Sequence, residues 1–224
     1  MNLVKSQEYF DPLKVTNRCH IIGCGSVGST VAELLIRLGI TKISLYDFDY
    51  VSAYNLANQM FTNSDIKRLK TEAVRDMLLA INPEAKNDIQ IYSEGWTEKT
   101  RLDGYVFLCV DNIDLRREIA TKNKPNMSIK AMFDFRTRLE DAQHYAANWQ
   151  DAKSVDNFIR TMDFSHEDAQ GSTPMTACHV VMGVAPTVRI VCSYGVSNFM
   201  NFIRKADLKK IVTIDAFNFE VDAY

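Results

Sequence analysis

A three-layer α/β fold, with helices on both faces of a mostly parallel sheet, is predicted by three observations. Short apolar runs at 20–23, 43–46, 89–92 and 105–110 alternate with stretches of helical period, and such alternation specifies parallel strands joined by covering helices. The run Ile21-Ile22-Gly23-Cys24-Gly25-Ser26-Val27-Gly28 sets a glycine-rich turn between the first strand and the first helix. Beyond residue 125 the alternation gives way to two longer runs, 127–135 and 142–149. The expected architecture is therefore Rossmann-like, its parallel sheet extended by antiparallel strands in the C-terminal half.

Val27, Val31, Leu34, Leu35 and Leu38 fall three and four apart and form one face of a helix stopped by Gly39. Ile66, Leu69, Ala73, Met77 and Ile81 mark a second amphipathic helix over 66–81, with Asn63, Ser64 and Asp65 as cap candidates and Asn82-Pro83 as its stop. The runs 127–135 and 142–149 read as a hairpin about a polar turn at 136–141. Residues 150–176 are polar and read as an irregular crossover loop. A buried helix over 177–203, bent near Pro186, and a last strand over 211–221 complete the chain. The whole of 1–224 reads as one domain. A nucleotide-binding half (15–125) precedes a half (126–224) that carries the sheet extension, the crossover loop and the C-terminal helix and strand.

Composition narrows the function. With 26 basic and 28 acidic residues the net charge is −2, which advertises neither nucleic acid nor an anionic membrane as partner. There is no signal-like start, and the longest apolar stretch is interrupted by Arg189; the expectation is a soluble, cytoplasmic protein. Five cysteines, an odd number without a C-x-x-C pair, argue for reduced thiols and against a four-cysteine zinc site.

The glycine turn carries chemistry. Gly23, Gly25 and Gly28 would let the chain turn sharply and approach a phosphate, while the following helix presents free N–H groups and its positive dipole end. Asp47 closes the second strand at about the separation where dinucleotide-binding folds place a ribose-binding carboxylate. Loop and carboxylate alone fit NAD, FAD or ATP.

The next stretch chooses among them. It reads Asp47-Phe48-Asp49-Tyr50-Val51-Ser52-Ala53-Tyr54-Asn55-Leu56-Ala57-Asn58-Gln59, with Lys70-Thr71-Glu72-Ala73 downstream and Val110-Asp111-Asn112-Ile113-Asp114-Leu115-Arg116 after the fourth strand. These segments resemble the D-x-D-x-V-x-x-x-N-L-x-R-Q run, the downstream lysine and the D-N-x-x-x-R motif of the ThiF/MoeB/HesA superfamily, the fold of the ubiquitin-activating enzymes. The likeness covers 15–117 and extends more loosely through Phe133-Asp134-Phe135-Arg136 and the segment from Cys178 to Pro186. The chain looks like a short form without the family's zinc cysteines.

The resemblance implies an ATP-dependent adenylyltransferase that uses magnesium to activate the C-terminal carboxylate of a small ubiquitin-like or sulfur-carrier protein or peptide, and that works as a homodimer. Lys70 is then the phosphate cation, Asp111 the magnesium ligand, Asp47 the acceptor for ribose hydroxyls, and Asn55 and Gln59 the orienting amides, with Asp49 and Asn112 as further nucleotide contacts. Such a reaction needs fixed cations and oriented donors more than a strong base, and a hard cation shared with phosphates takes one or two carboxylates. Cys178 stands where relatives carry a cysteine able to bind the carrier covalently. The competing roles are a solvated basic face for Lys70, a helix N-cap for Asp111 or Asn112, and a small apolar core residue for Cys178.

One departure stands out: the family's N-L-x-R-Q arginine is Asn58 here. An amide has neither the charge nor the forked donors of a guanidinium, and an uncompensated loss of that kind costs about 3 kcal/mol or more at the transition state. Arg68, Arg136 and Arg138 are candidates to replace it. Two alternatives follow, a non-catalytic ATP-binding partner or scaffold, and an NAD-dependent oxidoreductase resting on the glycine loop and Asp47 alone.

Overall fold

Burial on both faces explains the first strands. β1 (Cys19–Ile22) and β2 (Ile43–Tyr46) consist wholly of buried residues, as does β4 (Gly104–Leu108), while β3 (Gln90–Tyr92) lies half-covered at the sheet edge. Continuous apolar strands of this kind belong between two helical layers. The computed structural model describes residues 1–171 and 182–224, and in them one eight-stranded sheet runs in the order β3-β2-β1-β4-β5-β6-β7-β8. The pairs β1–β2, β1–β4, β2–β3 and β4–β5 are parallel. β5 (Ile129–Thr137), β6 (Asp141–Asn148), β7 (Ile211–Asp215) and β8 (Glu220–Ala223) pair antiparallel. The fold is thus the α/β class expected, parallel in its N-terminal part and antiparallel beyond.

Helices α1 (Ser26–Arg37), α2 (Lys70–Ile81) and α6 (Ala185–Ile203) cover one face, and α3 (Ile113–Lys122) and α4 (Ala152–Arg160) cover the other, with α5 (His166–Gly171) against α3. Gly195 sets how near α6 comes to the sheet: a Cβ there would lie 2.1 Å from the ring of Phe135 and 3.1 Å from His144 Nδ1. His144 is fully buried beneath it, held by the Asp134 carbonyl at 3.0 Å and by Asn198 at 3.1 Å.

Four expectations need correction. The second helix starts at Lys70, not 66, because Ile66 is extended and Tyr50 bridges Leu69; Asn63, Ser64 and Asp65 form a 3-10 turn whose capping box is closed by Thr62 and Asp65. The stretch read as irregular contains α4 and α5. Asp151 caps α4 by accepting from Lys153 N–H, and Val155 and Phe158 supply its buried stripe, with Met162 buried just beyond its end; residues 172–176 of that stretch lie outside the described residues. α6 begins at Ala185, with 182–184 non-helical, and Pro186 sits in its first turn, where a missing N–H costs nothing, so it opens the helix instead of interrupting it. The last strand is a hairpin, β7 and β8, because Asp215 caps a turn through Phe217 and Asn218 N–H.

Candidate functional site

A cleft of about 710 Å³ opens at the carboxyl ends of the parallel strands, where open α/β sheets bind ligands. One wall comes from the segments after β1 and β2, with Ser26, Asp49, Asn55, Asn58, Gln59 and Lys70. The other comes from the end of β4, the β5–β6 hairpin and α5, with Asp111, Arg116, Arg136, Arg138, Phe164 and His166. The start of α6 closes the end between them through Gly183, Val184 and Val188.

The three glycines divide their labour. Gly23 has φ +94°, and a Cβ on it would meet the Cys109 backbone at 2.8 Å; on Gly28 it would sit 1.8 Å from the Gly23 carbonyl oxygen. These two pack helix against strand. Gly25 has nothing within 4 Å of its Cβ position, and as N-cap of α1 it offers no side chain to the first N–H groups. An uncapped helix start beside open space is an anion site in form.

Asp47 fastens this loop. One carboxylate oxygen accepts from Cys24 N–H at 2.6 Å and the other from Asp49 N–H at 2.8 Å. Burial raises its pKa, against the opposing effect of those two donors and of Lys70. Neither Asp47 nor the three glycines line the cleft itself; Ser26 does. Asp49 instead pairs with Lys70 Nζ at 2.8 Å, and the Lys70 N–H returns to the Asp49 carbonyl. Asn55 is buried, its side-chain oxygen closing a capping box on Ser52, so its amide N–H pair is what remains for a ligand. Gln59 Oε1 is buried without any hydrogen-bond partner.

Asp111 and Asn112 separate into two roles. Asn112 caps α3, its Oδ1 accepting from Leu115 N–H at 3.0 Å, and it does not line the cleft. Asp111 is relieved of that duty and stands exposed on the wall. Cys178 lies outside the described residues. Among the cysteines that are described, burial drives the thiols of Cys24 and Cys109 well above their ordinary value, so neither is a nucleophile at neutral pH.

Of the three arginines considered as replacements at Asn58, Arg68 pairs with Asp65 and Asp76 away from the cleft. Arg136 and Arg138 do line it, and Leu139 between β5 and β6 is tied to α6 by Thr187 Oγ1 at 2.9 Å. Phe164 and His166 escaped the sequence reading; the helical spacing of Val155, Phe158 and Met162 was the signal that could have placed a helix ahead of them.

The family model described as "ThiF family" matches residues 7–223. The chain belongs to the ThiF family. Over 144 residues it is 32% identical to ubiquitin-like modifier-activating enzyme 5 of Drosophila mojavensis, covering 57% of this chain and 35% of that protein. The Caenorhabditis elegans protein of the same name is 30% identical over 115 residues, 44% of this chain and 27% of that one. The chain therefore spans about a third of the length of these curated relatives. Among solved structures, E. coli MccB with MccA superposes with a TM-score of 0.72 at 18% identity, covering 95% of this chain and 65% of that one. MccB with ATP gives 0.66 at 17% identity, with coverage of 95% and 65%.

Proposed function

We propose that this ThiF-family chain binds ATP with magnesium and adenylates the C-terminal carboxylate of a small ubiquitin-like or sulfur-carrier protein or peptide. The observation that carries the reading is the convergence of Asn55, Gln59, Lys70 and Asp111, from three separate parts of the chain, on one cleft beside the uncapped start of α1. The relatives support the substrate class: one is named for activating ubiquitin-like modifiers, and MccB is seen with ATP and with MccA.

The residues present fit the nucleotide. Gly25 leaves room for a phosphate, Gln59 Oε1 is an acceptor in want of a donor such as a ribose hydroxyl or metal-bound water, and Asp111 is a hard oxygen ligand of the kind magnesium takes. Bound ATP supplies an electrophilic phosphorus, and magnesium spreads the charge that builds on it. Asp111 would hold the metal. Lys70, held at the first turn of α2 by Asp49, places a cation whose direction is fixed before any ligand arrives. The α1 N-terminus and the Asn55 amide direct donors at the phosphates. Asp47 keeps the glycine loop in the shape that makes this possible.

The test is ATP–pyrophosphate exchange with a carrier ending in a free carboxylate. Wild-type protein should exchange, and Lys70→Ala should lower the rate by about 10²–10³-fold. Equal rates for both proteins would refute the role of Lys70. Asn58 favours a second reading, a nucleotide-binding scaffold without catalysis, because an amide stands where the family resemblance implies a phosphate-reaching arginine. Calorimetric ATP binding with no exchange under any carrier would establish it.

A further inference from the structure

Arg116, Asp134 and Arg136 form a buried ion triad that is out of balance. Asp134 is fully buried and Arg116 nearly so, with 7% of its side chain exposed. Arg116 Nη1 donates to one Asp134 oxygen at 2.6 Å, and Arg136 Nε donates to the other at 2.7 Å. Two guanidiniums share one carboxylate, which the flanking charges hold ionised: burial pushes its pKa up, and Arg116 and then Arg136 bring it below the ordinary range. The triad therefore carries one net positive charge behind the cleft wall. An unbalanced buried charge is costly, and its natural partner is an anion.

The donor count points the same way. A guanidinium has five N–H donors. Arg116 spends four of its own on Asp134 and on the Val110 and Phe135 carbonyls. Arg136 uses one N–H on Asp134, one on the Thr161 carbonyl at 2.7 Å and one on Thr161 Oγ1 at 2.9 Å. Two of its N–H donors remain, on a side chain that lines the cleft and is braced face-on by Tyr145 at 4.2 Å and by Phe164 at 5.6 Å. Asp111, on the same wall, is the carboxylate assigned above to magnesium.

We propose that Arg136, fixed by the Arg116–Asp134 pair, is a binding site for anionic oxygens of the ligand, and that the net charge of the triad replaces the cation absent at Asn58. The chemistry is a phosphate or a carboxylate, supplied either by the nucleotide or by the end of the acyl substrate. This builds on the adenylation reading, yet it concerns the anion alone and is tested separately from it.

The test titrates inorganic pyrophosphate, MgATP and, onto protein saturated with a non-hydrolysable ATP analogue, triglycine with triglycinamide as control. Three proteins are compared: wild type, Arg136→Gln and Arg136→Gln/Asp134→Asn. The single variant has no net charge in the triad, whereas the double variant restores one positive charge on Arg116. The expected result is binding at least tenfold weaker in the single variant, with only part of that loss recovered in the double variant, which regains a net charge on Arg116 but not the two donors of Arg136. A role in packing alone gives no such recovery. Loss confined to triglycine assigns the anion to the acyl carboxylate, and loss that includes pyrophosphate assigns it to phosphate. Equal binding in all three folded proteins, a double variant as weak as the single, or wild type that binds none of the probes overturns the proposal. Wild type that binds pyrophosphate but not MgATP keeps the anion site and refutes the nucleotide reading.

Discussion

On the wall built from the segments after β1 and β2, position is held mainly by backbone groups. Cys24 and Asp49 N–H grip Asp47, the α1 N-terminus lies uncapped, and the Lys70 N–H is seated on the Asp49 carbonyl. On the wall built from β4, β5 and β6, position is held by charge against charge, with Asp134 between Arg116 and Arg136. The first wall is local in sequence and uses short-range geometry. The second joins α3 to β5 and to the end of α4, so its charges are fixed only when the tertiary fold is complete. A site made this way tolerates changes on the first wall as graded losses of binding, while changes on the second threaten the fold itself.

Three measurements test that contrast, in descending order of expected size. Asp134→Ala leaves two guanidiniums buried without their carboxylate and should lower unfolding stability by about 3–5 kcal/mol, read by urea denaturation; a loss under about 1 kcal/mol would mean that the second wall is not charge-locked. His144, on the same hairpin, has its pKa lowered by burial to about 4. The unfolded imidazole takes up a proton that the folded one refuses, so stability is full above about pH 6.5 and falls as pH drops towards about 4, by about 3 kcal/mol in all. His144→Gln should flatten that part of the stability–pH curve; an unchanged curve would assign the acid sensitivity elsewhere. Smallest is Asn112→Ala, which removes the cap of α3 and should cost about 1 kcal/mol, with Asn112→Asp restoring most of it. Thermal melts that do not distinguish the three proteins would deny the cap.

Legibility follows the same division. The alternation of strands and helices could be read because each apolar run was continuous or periodic, and the motifs that carry Gly23, Asp47, Lys70 and Asp111 could be recognised because each is local in sequence. The start of α2 was misjudged since Ile66 and Leu69 keep the helical spacing while the backbone there remains extended and bridges to Tyr50. The helices α4 and α5 were hidden in a polar stretch whose buried stripe is only three residues wide. Asp111 and Asn112 both satisfied the rule for an N-cap, and only the observed bond to Leu115 N–H separated them. The triad was out of reach for a different reason: Asp134 and Arg116 are 18 positions apart, and no spacing rule pairs a helix residue with a strand residue.

The grip of Asp47 on Cys24 and Asp49 has a thermodynamic consequence. A glycine-rich loop is the segment with most conformational freedom to lose, and here that loss is taken during folding, when both carboxylate oxygens find backbone donors. Under the proposed function, a nucleotide entering the cleft beside it would meet a loop already in its final shape, and little ordering entropy would be charged against its affinity.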